Sequence, residues 1–268
     1  ETQGTKIFAG GTDLLVQMKE DIIEPSLLID IKKIQETRTV TIGVEEIRIG
    51  AAMTGTELGE HAGLTAVWPG VVEAMELIGS AQVQSRATLG GNLCNASPAA
   101  DSVPALIAAA AKVVIAGPNG MREESVVNIL KGPGQTTLAA DEFVISIILP
   151  NPPARSGDAY LRFIPRTEMD IAVVGAGVSL SLNEDGTCAA ARMALGAVAP
   201  TARLADAASD ILVGNRLDDA VLESLADAAR DLCSPIDDKR GTIEFRTKVS
   251  GVLARRTAVI AWQRAEKS

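Results

Sequence analysis

Aromatic side chains are scarce, 3% of 268 residues, against 47% apolar residues overall. The interior is therefore predicted to be aliphatic, and few rings remain for stacking on bases, which argues against a single-strand nucleic-acid binder. Basic clusters are lacking as well. With 25 Lys and Arg against 34 Asp and Glu, a formal net charge of -9, nucleic acid and anionic membranes are not expected partners. The three cysteines, Cys94, Cys188 and Cys233, form no C-x-x-C pair; this excludes a zinc motif and a disulfide framework and fits a reducing, cytoplasmic location. The only histidine, His61, lies in Glu57-Leu58-Gly59-Glu60-His61 with no Ser or Cys nucleophile motif nearby, and reads as a solvated side chain. No apolar run reaches the roughly 18 to 20 residues of a membrane span. The longest, Val103 to Ala116, contains Pro104 and Lys112. Neither a G-x-G-x-x-G fingerprint nor a G-x-x-x-x-G-K-[ST] phosphate loop occurs. The chain opens Glu1-Thr2-Gln3, with neither Met nor an apolar leader, and is expected to be a trimmed version of something longer.

What is present is a pair of glycine turns. Ala9-Gly10-Gly11-Thr12-Asp13 is followed, at a subdomain-sized interval, by Thr88-Leu89-Gly90-Gly91-Asn92-Leu93-Cys94-Asn95-Ala96-Ser97-Pro98-Ala99-Ala100-Asp101. Adjacent glycines permit positive φ and close backbone approach, so amide N–H groups can converge on phosphate oxygens without a basic side chain. Each turn precedes a predicted helix, whose free N–H groups favour an anion further. Either turn alone is weak, since most double glycines only reverse a chain; together they predict one diphosphate held from two sides.

Around the turns, Lys6 to Ala9 reads as a strand and Thr12 to Lys19 as a helix. Leu27 to Ile31, Val40 to Ile42 and Ile47 to Ile49 read as strands, Thr54 to Glu60, Val71 to Ile78 and Ser102 to Ala111 as helices. Val113 to Ala116, Glu124 to Val127 and Phe143 to Leu149 complete a strand group. The prolines Pro150, Pro152 and Pro153 mark a boundary between domains 1–153 and 154–268, the first divided again near 50–60. Beyond it, Tyr160 to Phe163, Ile171 to Leu182 and Cys188 to Leu195 predict an antiparallel meander, turning at Asn183-Glu184-Asp185-Gly186. Gly175-Ala176-Gly177 within it reads as close packing. Helices are expected at Thr201 to Asp206, Asp219 to Leu232 and Phe245 to Arg264.

Ala9 to Leu15, Thr88 to Asp101 and Leu195-Gly196-Ala197-Val198-Ala199-Pro200-Thr201, with Phe245-Arg246 and Leu253-Ala254-Arg255-Arg256 near the end, resemble the FAD-binding medium subunit of the molybdenum hydroxylases. That family includes carbon monoxide dehydrogenase medium chains and the flavin domain of xanthine dehydrogenase. The resemblance implies an α+β protein, a two-subdomain FAD-binding fold of the vanillyl-alcohol oxidase/PCMH type followed by a smaller α+β domain. It implies that Ile7, Phe8, Ala9, Gly10, Gly11, Thr12, Asp13 and Leu14 cradle the diphosphate from one side and Thr88, Leu89, Gly90, Gly91 and Asn92 from the other. Asp101 would accept hydrogen bonds from the adenosine portion or, alternatively, cap the next helix. Ile78 and Val144 would pack near the cofactor. Arg162 would lie near the flavin ring, where a cation stabilises its reduced anion, or else be a surface strand residue.

The implied role is electron transfer. A large molybdenum-cofactor subunit would oxidise the substrate, a small subunit would relay electrons through [2Fe-2S] clusters, and this chain would pass them to NAD, quinone or oxygen, in a dimer of heterotrimers. No residue here is assigned acid–base work or metal ligation. A stand-alone FAD-dependent oxidoreductase is the alternative. Two departures stand out: Gln82-Val83-Gln84-Ser85 replaces the Gln-Ile-Arg-Asn of many relatives, and less chain precedes the first turn. Three isolated cysteines cannot ligate the extra iron–sulfur cluster of the 4-hydroxybenzoyl-CoA reductase branch.

Overall fold

The computed structural model describes residues 4–268; Glu1-Thr2-Gln3, where the expectation of a longer chain rests, lie outside them. The chain starts as a strand–helix–strand unit, β1 (Thr5–Phe8), α1 (Leu14–Lys19) and β2 (Leu27–Asp30), with β1 and β2 paired in parallel from Thr5↔Leu27 to Phe8↔Asp30. Two strands and a short helix cover little apolar surface, and Ile7, Leu15, Val16, Ile22, Leu27 and Ile29 stay exposed.

Next come β3 (Val40–Ile42), β4 (Glu46–Gly50), α2 (Gly55–Gly59), α3 (Ala62–Val67), α4 (Pro69–Glu76), α5 (Ala81–Gln84), α6 (Leu89–Asn95) and α7 (Ser102–Ala108). They are followed by β5 (Lys112–Gly117), β6 (Gly120–Ser125), the hairpin β7 (Leu130–Gly132) and β8 (Gln135–Thr136), and β9 (Phe143–Pro150). The main sheet is antiparallel, in the order β3-β4-β9-β5-β6. Its central strand β9 is buried from Val144 to Leu149, as a run that is apolar except for Ser146 requires. Because β3 and β4 pair into this sheet, with Ile47 and Ile49 fully buried beside Val71, Leu89 and Leu106, the first unit ends before Val40, earlier than the 50–60 expected. Thr54 and Glu57 form a capping box on α2. His61 is not simply solvated: its Nδ1 accepts from the Leu64 N–H at 3.1 Å and so caps α3.

The second domain is a meander of β10 (Ser156–Phe163), β11 (Val174–Leu182), β12 (Cys188–Gly196) and β13 (Arg203–Leu204), carrying α8 (Asp206–Leu212), α9 (Asp219–Asp231) and α10 (Ile243–Ala265). The expected turn is present, with Gly186 at φ +82 and its N–H donating to Asn183 O at 3.0 Å. The helix expected at Thr201 to Asp206 is instead a strand pair followed by α8, because Arg203 and Leu204 join Leu195 and Ala194 on β12.

The two domains share their core: Tyr160, Ala194 and Ala202 pack with the first domain's apolar cluster. Close packing is what the Gly175–Gly177 segment provides, since a Cβ on Gly177 would lie 2.7 Å from the Pro104 carbonyl oxygen of α7. A polar lock accompanies it. Arg264 on α10 grips Glu73 on α4 and donates to the Asp158 carbonyl at 2.7 Å, while Asp158 Oδ2 accepts from the Val71 N–H at 3.2 Å, capping α4 from the neighbouring domain.

Candidate functional site

The two glycine turns meet. A Cβ on Gly10 would lie 2.0 Å from the Arg86 carbonyl oxygen, so glycine there is required by one turn approaching the other. Between them opens a cavity of about 570 Å³, within the range of small-molecule and cofactor pockets. Its lining includes Ile7, Ala9, Gly10, Gly11, Thr12, Asp13 and Leu14 from the first turn, Thr88, Gly90, Gly91 and Asn92 from the second, and Ile78 and Val144. Gln17 Nε2 donates to Asn95 Oδ1 at 3.3 Å and ties α1 to α6 across it.

The turns are not chemically equivalent. In the first, Gly11 takes φ +78, and among the described residues no protein acceptor is recorded for the N–H groups of Gly10, Gly11, Thr12 and Asp13. Four successive amides without a recorded acceptor, in residues that line the cavity, supply the donors that an anion-binding concavity needs. In the second, the amides are already used within the protein: Gly90 N–H donates to Ala51 O at 3.1 Å, Gly91 to Thr88 Oγ1 at 3.0 Å and Asn92 to Thr88 O at 2.9 Å. Gly90 is required by its neighbour, since a Cβ would meet Ala51 at 2.7 Å. This side offers the Asn92 side chain and the Thr88 hydroxyl in place of backbone N–H groups.

Lys32 braces the first turn from outside, donating to Ala9 O at 2.8 Å with its ammonium 3.9 Å above the Phe8 ring. Desolvation raises the pKa of the Asp13 carboxyl, although the residue as a whole is exposed. At the rim, Arg122 holds Glu142 ionised, its pKa lowered to about 2. Burial pushes the Cys94 thiol up to about 12, so it lines the cavity un-ionised.

Four expected residues lie outside the lining: Phe8, Leu89, Asp101 and Arg162. Asp101 makes no side-chain cap to α7. Its Oδ1 accepts from the Tyr160 hydroxyl at 2.9 Å and its Oδ2 from Arg162 Nη1 at 2.6 Å, a pair with side chains 9% and 5% exposed. Burial outweighs these partners and raises the Asp101 pKa to about 6. Arg162 is thus a strand residue with a buried side chain bound to Asp101, neither a surface side chain nor part of this lining, and its Nε has no partner among the described residues. Sequence reading missed Gln17, Cys94 and Asn95, which helical spacing from the turns would have found. Gly134 and Leu138 carry no local signal, because the β7–β8 segment is brought to the cavity by tertiary contacts, among them Gly134 N–H bonding to Ala96 O at 3.0 Å and Leu138 packing on the core.

The model of the FAD binding domain in molybdopterin dehydrogenase matches residues 1–152, and that of the CO dehydrogenase flavoprotein C-terminal domain matches 159–260. This chain belongs to the FAD-binding medium subunits of the molybdenum hydroxylases. The carbon monoxide dehydrogenase medium chain of Hydrogenophaga pseudoflava is 32% identical over 97% of this chain and 90% of its own length. The nicotinate dehydrogenase FAD-subunit of Eubacterium barkeri is 29% identical over 92% and 84%. Among solved structures, carbon monoxide dehydrogenase from H. pseudoflava superposes with a TM-score of 0.93 at 34% identity, covering 97% of this chain and 90% of that one. Quinoline 2-oxidoreductase from Pseudomonas putida 86 gives 0.90 at 28%, covering 98% and 90%. As a medium subunit, the chain takes FAD as its cofactor. The site fits it: the free amides of the first turn match a diphosphate, and the aliphatic Ile7, Ile78 and Val144 suit ring surfaces.

Proposed function

We propose that this chain is the flavoprotein electron-transfer subunit of a molybdenum hydroxylase, accepting electrons from the [2Fe-2S] clusters of a small subunit and passing them to an external acceptor. FAD, when bound, supplies a centre that can exchange electrons singly or in pairs. The chain's own residues bind and orient it. Gly10 to Asp13 donate to the diphosphate, Thr88 and Asn92 close the second side, and Ile78 and Val144 exclude water. Asp101, paired with Arg162, precedes Ser102, whose hydroxyl donates to Asn92 of the second turn. The molybdenum cofactor and the clusters belong to the large and small partner subunits, in a dimer of heterotrimers. Three free cysteines support a cytoplasmic setting.

The observation that carries this reading is the run of amides with no recorded protein acceptor in residues that line a cavity of cofactor size. Its test is the absorption spectrum of the full chain with added FAD. A bound, perturbed flavin spectrum is expected, with Gly91→Leu losing it while keeping the far-UV circular dichroism of the wild type. The isolated chain is expected to show no substrate turnover, and its flavin to be reduced when the purified small subunit supplies electrons. A folded chain that binds no FAD, or one that oxidises an organic substrate by itself, would contradict it.

A further inference from the structure

Asn92 lines the cavity, and both hydrogen bonds recorded for its side chain run to Ser102. The Ser102 hydroxyl donates to Asn92 Oδ1 at 2.6 Å and the Ser102 N–H reaches the same oxygen at 3.3 Å. A backbone N–H can only donate, so the atom facing Ser102 has to be the amide's oxygen; the amide orientation is set by chemistry. The NH2 group is then the half of this cavity-lining side chain that Ser102 leaves unused, and among the described residues no acceptor is recorded for it. It matters on this side in particular, because the Gly90, Gly91 and Asn92 N–H groups are all used within the protein.

We propose that Ser102 is a positioning residue for FAD. By holding the Asn92 carbonyl, it makes the Asn92 amide present its N–H groups to the diphosphate, opposite the free amides of the first turn. This rests on the reading of the cavity as the FAD site. Ser102 is itself held firmly. It is fully buried at the first position of α7, and Asp101 before it is gripped from the second domain by Tyr160 and Arg162. A turned amide would aim its oxygen at phosphate oxygens, replacing attraction with repulsion.

The test is a double-mutant cycle on the dissociation constant of the full chain for FAD, measured by flavin fluorescence, with melting temperatures alongside. Ser102→Ala is expected to weaken FAD binding about tenfold, the worth of one good hydrogen bond to a charged group. Asn92→Ala is expected to weaken it at least as much, and adding Ser102→Ala to that variant to change nothing further. Ser102→Cys keeps the side-chain shape with a larger atom and a poorer donor and is expected to weaken FAD binding by more than any change in melting temperature accounts for. A wild-type chain that fails to bind FAD overturns the FAD reading and this inference together. Wild-type affinity in a folded Ser102→Ala chain overturns the inference alone. So does an effect of equal size in the Asn92→Ala background, or weakening seen only in variants that also melt early.

Discussion

Several residues of this protein carry a burden set by where their charge is buried. Asp158 is the clearest. It is 5% exposed, its Oδ2 caps α4, and its Oδ1 has no partner. Desolvation lifts its pKa from the ordinary 3.8 to about 7, against the lowering pull of the Gly70 amide and Arg264. Because the folded pKa is the higher one, the stabilising contribution of this carboxyl is complete below about pH 3.8 and is lost as pH rises through about 7. Asp158→Asn keeps an acceptor for the Val71 N–H without a charge to bury. The difference in unfolding free energy between wild type and this variant should therefore shift in favour of the variant between pH 4 and pH 8, with a ceiling of about 4 kcal/mol. Urea unfolding at the two pH values checks this; a pH-independent difference would mean that Asp158 stays ionised throughout.

Between elements, small residues decide how closely layers approach. Helix α7 lies against β11 and β12 because Gly177 and Gly196 leave room for Pro104, a Cβ on either coming within 2.7 Å of it. Gly177→Ala should lower stability by about 3 kcal/mol through overpacking and reduce the melting temperature, since its obstacle is backbone that cannot rotate aside. Substituting Gly120, which has open space around it but a φ of +105, costs only backbone strain and is a useful comparison. The elements themselves were largely legible in the sequence: the run Val144 to Leu149 announced a central strand, and Asn183 to Gly186 announced the turn of the meander. Partnership was not. Nothing local says that Glu46 to Gly50 pairs with β9, or that Arg203 and Leu204 pair with β12 before α8 begins, because register is a choice between distant segments. The site divides in the same way. Gly10, Gly11, Gly90 and Gly91 announced themselves, but the sequence could not show that the second turn's amides are taken internally, or that Asp101 and Arg162 pair with each other outside the lining.

At the scale of the whole molecule, stability is uneven, and the cofactor site lies across the unevenness. The second domain and the main sheet interlock through a shared core, through α7 on β11 and β12, and through the Arg264, Glu73 and Asp158 lock. The opening β1–α1–β2 unit has no comparable burial: α1 contains no buried residue, and β1 and β2 leave Ile7, Leu27 and Ile29 exposed. Its ties to the rest include the Gln17–Asn95 hydrogen bond and the abutment of Gly10 on Arg86. Such a unit opens at lower free energy than the remainder, and a ligand held by both walls of the cavity stabilises the closed state through linkage. Amide hydrogen exchange on the full chain should then show β1, α1 and β2 exchanging well before β9 and β11 without FAD. Saturating FAD should slow the first group by about a hundredfold at a ligand concentration 100 times its dissociation constant, and, because the globally unfolded chain does not bind FAD either, slow β11 by the same factor, so that the order of exchange is kept. Equal exchange of the two regions without FAD would instead mean that the molecule opens as one unit, and that the small parallel pair is held by more than these contacts.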